Sequence, residues 1–330
     1  MIFFSTNHWK RRNFTVNRTS PGRYLAGMPY GRLSNRYFEI MLMLRLAYHL
    51  NRTLVLIPYK GVEIDEIFDL DAVSRHFRRN HLALTWKKYQ RMKNITSCLC
   101  VKSVYYVHDQ ERFPMCNTSA KLDACKLISS HPILGEKRVK LASIEDALTI
   151  QDYFMVISGE RIWSLKSMRG FSEVLAAQNN KSPHFHLDYI RNTWVEAHHV
   201  YRWLSSRSNS SNNTTLAIHL RRGDLASNMN LTIFLESAKQ ISLKYSVPKA
   251  QIFIATDANS TEIEIIRHTF SLAQIECPVN VSQDCKHHVR RLVLIQAVAS
   301  LATHFVGSHI STFSYVIQAM RAARKPLKYH

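Results

Sequence analysis

The sequence lacks any long hydrophobic run. None of its apolar stretches approaches the roughly 18 consecutive residues that a membrane-spanning helix needs. The amino terminus is apolar over residues 1–4 only and then turns polar, so no signal-peptide core is visible. We therefore expect that the start of the sequence is truncated or that the true initiator methionine lies elsewhere, and that any membrane anchor is missing from this sequence.

Acidic residues are scarce relative to basic ones. The chain has 24 Asp and Glu against 44 Lys and Arg, which gives a formal net charge of +20. This balance predicts an anionic partner: a nucleic acid, an acidic polysaccharide, a membrane surface or a nucleotide-bearing substrate. The sequence has no RNP-type aromatic motif, no zinc finger and no Lys/Arg run longer than residues 10–12. We therefore expect no nucleic-acid partner.

Asn-x-Ser/Thr sequons, the acceptor sites of N-glycosylation, are in clear excess. Twelve of the 18 Asn residues begin a sequon, whereas random placement would give about 3. The excess predicts a chain that passes through the lumen of the secretory pathway, in the endoplasmic reticulum or Golgi. The sites begin at Asn13, Asn17, Asn51, Asn94, Asn117, Asn180, Asn209, Asn212, Asn213, Asn230, Asn259 and Asn280.

The cysteine count agrees with a luminal protein. Six cysteines, an even number, predict disulfide bonds in that compartment. Cys277 and Cys285 are eight residues apart and could close a small loop. The pairing stays open among the other four, which are Cys98, Cys100, Cys116 and Cys125.

Residues 23–57 carry the pattern of a strand–helix–strand unit. Apolar runs at residues 23–27 and 53–57 predict two strands. Apolar residues spaced by three and four predict a helix over residues 37–50, after a loop at residues 28–35. A βαβ unit of this kind places its strands parallel in one sheet. Strands that are apolar throughout are buried on both faces.

A second alternating series begins at residue 216 and predicts a second parallel sheet. The polar tract at residues 205–215 predicts a linker or exposed loop, and residues 86–202 show no clear pattern. The predicted strands are residues 216–220, 251–256 and 304–308, and the predicted helices lie near residues 231–245, 260–270, 289–301 and 313–323.

The simplest architecture is an α/β fold with two Rossmann-like domains and a cleft between them. We expect an N-terminal extension over residues 1–21 and a first Rossmann-like domain over residues 22–204. The linker at residues 205–215 would lead to a second Rossmann-like domain over residues 216–330.

Several candidate binding residues follow the carboxyl ends of predicted strands, where open α/β sheets bind their ligands. Arg32 and Arg221 present forks of donors that suit phosphate oxygens. A helix that begins at Ser311 and Thr312 adds N–H groups and a positive dipole end. Asp257 could accept from a ribose hydroxyl or a base edge. Each feature alone also fits a salt bridge or a helix cap; together they predict a site for a nucleotide diphosphate.

Several of these motifs, taken in order, are similar to those of one enzyme family. The chain resembles the GDP-fucose protein O-fucosyltransferases, over residues 22–75 and 214–325. The sequence GRLSN is similar to that family's GRxxN loop, and IHLR is similar to its HLR motif. The matching segments are residues 31–35, 50–58, 67–71, 218–221, 253–257 and 305–314.

The resemblance implies a GT-B-like fold, with the acceptor side in the first domain and the nucleotide sugar in the second. It implies an inverting, metal-independent transfer of fucose from GDP-fucose to a Ser or Thr hydroxyl of a protein acceptor, with no cofactor. Arg221 would hold the β-phosphate and the glycosidic oxygen, and Asn35 would lie beside the acceptor hydroxyl. The implied donor-binding residues are Gly31, Arg32, His219, Asp257, Ser311, Thr312 and Phe313.

The general base stays open at this point. Some family members place a carboxylate in the first loop, whereas the loop here offers Arg32 and no Glu. Glu39 is further along the helix, where we expect an exposed partner of Arg36. Asp224 is an alternative catalytic base, and a phosphate oxygen could also accept the proton.

Three sequence patterns suggest metal binding, but each has a simpler explanation. Asp69-Leu70-Asp71 matches the DxD pattern of GT-A glycosyltransferases, but it also suits a turn or helix cap after Phe68. The close pair Cys98 and Cys100 has no second pair at zinc-like spacing. The adjacent or alternating His pairs, which lie at residues 184–186, 198–199 and 287–288, lack carboxylate–His helical spacing. We therefore expect no metal.

Two other functions remain open. An α-1,2-fucosyltransferase, which acts on galactose of glycans, shares a GRLxN-type loop, and its H(V/L)RRGD motif matches residues 219–224. A catalytically silent protein that binds glycans or polyanions would use the +20 charge of the chain.

Overall fold

The structure, a computed structural model, describes residues 22–29, 32–95, 99–107, 133–152, 154–159, 186–207, 214–223, 229–276 and 285–324. Two parallel sheets organise these residues, one in each half of the chain. None of the helices in this described part is both long and apolar enough to cross a membrane.

The first sheet has six strands in the order β3-β2-β1-β6-β4-β5. The central strand β1 pairs in parallel with β2 on one side and with β6 on the other, as the unbroken burial of its residues 24–27 requires. The strands are β1 (Tyr24–Pro29), β2 (Thr53–Leu56), β3 (Ala83–Thr85), β4 (Leu99–Tyr106), β5 (Ile133–Lys140) and β6 (Phe154–Gly159). The helices of this half are α1 (Leu33–His49), α2 (Leu70–His76), α3 (Trp86–Lys93) and α4 (Ile144–Thr149), with a short 3-10 helix at Ile64–Glu66.

The second sheet has four strands in the order β10-β7-β8-β9, and every residue of β7 and β8 is buried. Its strands are β7 (Leu216–Leu220), β8 (Ile252–Thr256), β9 (Gln274–Glu276) and β10 (His304–Gly307). Its helices are α5 (Arg191–Ser206), α6 (Leu231–Lys244), α7 (Ser260–Thr269), α8 (Cys285–Leu301) and α9 (Thr312–Arg324), with a 3-10 helix at Lys249–Gln251.

One hydrophobic cluster spans the two halves, and each half also has a cluster of its own. A single cluster of buried side chains joins Tyr37 and Leu44 of α1 to Val293 of α8 and Val316 of α9. Helix α8 packs against both α5 and α9, and α9 packs against α1. Because α1 follows the carboxyl end of β1 and α9 follows that of β10, this packing brings the ligand-binding edges of the two sheets together.

The predicted α/β architecture with two parallel sheets is confirmed, and several boundaries differ. Helix α1 begins at Leu33, so the predicted loop at residues 28–35 was too long. The described parts of residues 86–202, which showed no clear pattern, contain strands β4 to β6, helices α3 and α4 and most of α5. Helix α5 runs to Ser206, two residues into the predicted linker, and packs on α8 of the second half. The predicted domain boundaries stay a prediction.

Candidate functional site

The carboxyl ends of β10, β7 and β8 are neighbours in the second sheet, and their loops are hydrogen-bonded to one another. Arg221 directly follows β7, and Ser308 directly follows β10. The backbone N–H of Arg221 donates to Ser308 Oγ at 2.9 Å. Ser308 Oγ in turn donates to the carbonyl of His219 at 3.2 Å. The order β10-β7-β8 therefore assembles these loops from segments distant in sequence.

Asp257, directly after β8, is the centre of this arrangement. Its Oδ2 contacts the Arg221 guanidinium, and its Oδ1 accepts from the backbone N–H of Arg222 at 2.6 Å. The side chains of Arg221 and Asp257 are only 14% and 11% exposed. Both carboxylate oxygens are thus engaged by the loop after β7. Asp257 thus fixes the position of Arg221. The contact with a ribose hydroxyl or a base edge stays a prediction.

Arg222 and Gly223 follow Arg221 in this loop, and the sequence did not reveal their roles. Arg222 Nε donates to Glu262 Oε1 at 2.7 Å, and its Nη1 donates to the carbonyl of Met229 at 2.6 Å. Glu262 also belongs to the capping box at the start of α7. Gly223 has φ +22°, and a Cβ added there would lie 2.7 Å from Asp257 Oδ2. The loop thus closes tightly on the Asp257 carboxylate.

His219, inside β7, is neutral. Its Nδ1 is hydrogen-bonded to Ser314 Oγ at 2.7 Å, and its ring stacks on Phe313 with centroids 4.5 Å apart. Burial, followed by the charge of Arg221, lowers its pKa to about 3. A neutral, buried ring cannot pair with a phosphate as a cation. It fixes the first turn of α9 instead.

The start of α9 is an anion-attracting helix end. The backbone carbonyl of Ser308 accepts a hydrogen bond from the backbone N–H of Ser311 at 3.1 Å, which closes the turn before the helix. The first turn, which begins at Thr312, carries no acidic residue, whereas Arg321 and Arg324 lie in the last turn. The first N–H groups of a helix have no partner within it and sit at the positive end of its dipole. This end suits phosphate oxygens.

The first half contributes Asn35 to the same place, and Arg32 lies at the start of the same helix. Thr312 Oγ1 donates to Asn35 Oδ1 at 2.8 Å, which joins the first turns of α9 and α1. Arg32 is exposed at the N-cap of α1 and makes no side-chain capping hydrogen bond. Gly31 and Asp224, also predicted for the site, lie outside the described residues.

Glu39 is buried, so the expectation that it is exposed was wrong, but its negative charge does act on Arg36, where it opposes the lowering of the pKa by burial. The Glu39 side chain is only 3% exposed because this face of α1 packs on β1 and β2. The Arg36 guanidinium lies 4.6 Å from the ring centre of Tyr59. Among the described residues, its Nε and Nη1 are buried and lack a hydrogen-bond partner, and burial lowers its pKa.

Known structures share this arrangement of two sheets. No family model and no curated protein match the sequence. POFUT1 in complex with GDP aligns with TM-score 0.62 at 15% identity, over 93% of this chain and 98% of that chain. POFUT1 in complex with GDP-fucose aligns with TM-score 0.60 at 15% identity, over 92% and 95%. The chain has the GT-B fold. A variant of Arabidopsis thaliana FUT1 in complex with GDP aligns with TM-score 0.52 at 14% identity, over 92% of this chain and 70% of that chain.

In this GT-B chain the DxD pattern serves as a helix cap. Asp69 is the N-cap of α2, and its Oδ1 accepts from the backbone N–H of Ala72 at 2.8 Å. Within the described ranges, no group of three or more His, Cys, Asp or Glu side chains could hold a metal ion. Cys100, on β4, is disulfide-bonded.

Proposed function

We propose that this protein is an inverting fucosyltransferase that moves fucose from GDP-fucose to a Ser or Thr hydroxyl of a protein acceptor. One observation carries the proposal. A guanidinium, Arg221, is fixed by Asp257 next to the loop that opens α9, where Thr312 meets Asn35 of the opposite half. The likeness in fold to POFUT1 in complexes with GDP and GDP-fucose supports the same donor.

Donor binding uses the second half. The diphosphate lies between the Arg221 guanidinium and the N–H groups at the start of α9. These groups supply the positive charge that the diphosphate needs, so we propose a donor site without a metal ion. Phe313, which stacks on neutral His219, holds this helix end in place.

The reaction breaks the bond between the anomeric carbon of fucose and the β-phosphate oxygen. Negative charge builds on that oxygen as the bond breaks, and a guanidinium already fixed there stabilises the transition state more than the ground state. The acceptor oxygen attacks from the side of Asn35, which inverts the anomeric carbon. Its proton passes to Asp224 or to a phosphate oxygen of the leaving GDP.

The acceptor distinguishes this proposal from its closest alternative. The resemblance of residues 67–71 and 305–314 to segments of the protein O-fucosyltransferases supports a protein acceptor. The run Arg221-Arg222-Gly223 matches the α-1,2-fucosyltransferase motif and supports transfer to galactose as the second candidate.

We also propose that the protein works in the lumen of the endoplasmic reticulum or Golgi. The sequon excess and the disulfide-bonded Cys100 support this location. Deglycosylation of the protein from secretory cells should lower its apparent mass. An unchanged mass would contradict the luminal location.

Calorimetric titration with GDP, UDP and GDP-fucose tests the donor. We expect GDP and GDP-fucose to bind and UDP to bind at least tenfold more weakly. Incubation with labelled GDP-fucose and either a folded protein domain or a galactose-terminated glycan then identifies the acceptor. Tight, salt-sensitive binding to heparin without donor turnover would favour the silent polyanion-binding function and would exclude an enzyme.

A further inference from the structure

A buried glutamine joins the two halves directly behind the candidate site. Gln296 lies in α8 and is fully buried. Its Nε2 donates to Ser34 Oγ at 3.0 Å and to the carbonyl of Phe313 at 3.4 Å. Its Oε1 accepts from the hydroxyl of Tyr189 at 2.5 Å. One amide thus bonds to three segments that are far apart in sequence.

Two of these partners belong to the helix starts that form the site. Ser34 immediately precedes Asn35 in the first turn of α1, and Phe313 immediately follows Thr312 in the first turn of α9. The hydrogen bond between Thr312 and Asn35 is 2.8 Å long. The amide of Gln296 therefore bonds to Ser34, the neighbour of Asn35, and to Phe313, the neighbour of Thr312.

The third partner fixes which way the amide points. Tyr189 forms a backbone bridge with Phe68, and the two rings stack with centroids 5.5 Å apart. Burial raises the pKa of Tyr189 well above its usual value, so its hydroxyl keeps the proton that it donates. Because this O–H must be accepted, the amide oxygen of Gln296 faces Tyr189 and the NH₂ group faces Ser34 and Phe313.

We propose that Gln296 is a positioning residue that sets the separation between Asn35, on the acceptor side, and the phosphate-binding start of α9. The inference rests on the proposed function, because the separation matters only if a sugar passes between these groups. Gln296 does not touch the substrate and acts through Ser34 and Phe313. Its loss should therefore change turnover rather than the affinity for GDP, which the second half binds.

The test replaces Gln296 by the nearly isosteric Met, which cannot donate or accept these hydrogen bonds. Gln251→Met is the matched control. Gln251 is also fully buried, and its Nε2 donates to the carbonyl of Ser205 at 2.5 Å. It directly precedes the amino-terminal end of β8, whereas the site lies at the carboxyl ends of the strands. Hydrolysis of GDP-fucose, with water as the acceptor, gives kcat and KM without knowledge of the natural acceptor.

For Gln296→Met we expect kcat to fall at least tenfold while the Kd for GDP stays within threefold, since a shift of about 1 Å in a reacting group costs up to roughly a hundredfold in rate. Gln251→Met should keep the wild-type kcat. An unchanged kcat in Gln296→Met would overturn the positioning role alone. Absence of hydrolysis and transfer by the wild type would overturn the proposed function, and this inference with it.

A second variant keeps the test decisive if Gln296→Met does not fold. Tyr189→Phe removes only the hydroxyl that orients the amide, and we expect it to lower kcat by several-fold at constant GDP affinity. Where both single variants fold, Tyr189→Phe should have little further effect on kcat in the Gln296→Met background, because both act through the same amide. Additive effects on kcat would contradict a shared route.

Discussion

Replacement of Arg221 by Ala removes the guanidinium that is placed to receive the charge of the departing diphosphate. A single preorganised donor to a developing oxyanion contributes about 3–4 kcal/mol to transition-state stabilisation, so turnover should fall roughly a hundred- to a thousandfold. Arg221→Lys keeps the charge but loses the planar fork of donors, and we expect a smaller loss of about tenfold.

The same substitution also has a structural cost, which must be measured separately. Arg221 and Asp257 are only 14% and 11% exposed, so truncation leaves a mostly buried carboxylate. The backbone N–H of Arg222, 2.6 Å from Oδ1, still satisfies part of it. We therefore expect the free energy of unfolding to fall by about 1–3 kcal/mol, less than the 3–5 kcal/mol typical of a fully buried orphan charge.

Hydrolysis of GDP-fucose measures turnover, and urea denaturation measures stability. Arg267→Ala is the matched control, because Arg267 pairs with Glu264 at 2.6 Å on the surface of α7 with both side chains more than half exposed. That variant should change stability by less than about 0.5 kcal/mol and leave turnover unchanged. If folded Arg221→Ala hydrolyses GDP-fucose within threefold of the wild-type rate, the reasoning about charge stabilisation fails.

Three further predictions concern pH, backbone and metal. His219 has a pKa of about 3 in the folded protein and about 6.5 when unfolded, so the unfolded state binds the extra proton between these values. The free energy of unfolding should therefore fall as pH drops from about 6.5 towards 3, by up to about 1.4 kcal/mol per pH unit from this group. His219→Phe should reduce that slope, which urea denaturation at several pH values measures. An unchanged slope would contradict a buried neutral ring. Gly223→Ala places a Cβ 2.7 Å from Asp257 Oδ2 and should lower both stability and turnover. The control Gly61→Ala, at φ +75° with nothing within 4 Å of its Cβ, should cost only about 1 kcal/mol of backbone strain. Equal effects of the two variants would refute the tight closure of the loop on Asp257. Chelation with EDTA should leave hydrolysis within twofold, and a tenfold loss would show that a metal ion takes part.

Much of the fold was predictable because its signals are local. The continuous apolar runs that became β2, β7 and β8 predicted buried parallel strands, and their observed ends differ from the predicted ones by about one residue. The helix predicted near residues 260–270 was confirmed as α7, which begins at Ser260 after a capping box from Asn259 to Glu262. The pattern failed between residues 86 and 202, where strands such as β4 mix exposed and buried residues without a regular period and β5 lies at the sheet edge.

The candidate site was predictable in its residue types but not in its partnerships. Arg221, Asp257 and Thr312 each follow a predicted strand, so the sequence placed them at the same edge of a sheet. No sequence signal indicated that the Asp257 carboxylate binds the loop of Arg221 and Arg222. Nothing in the sequence around Gln296 distinguishes it from any other helical glutamine.

The amino-acid sequence by itself determined the two parallel sheets, the helix starts and the basic residues near them, because apolar runs, caps and turns act over a few neighbouring residues. Tertiary structure alone decided which of these groups meet. Thr312 bonds to Asn35 across 277 positions, and Gln296 bonds to Ser34 across 262. Such contacts arise from the packing of α1, α8 and α9 in a shared core, and packing depends on complementary shape that no local pattern encodes.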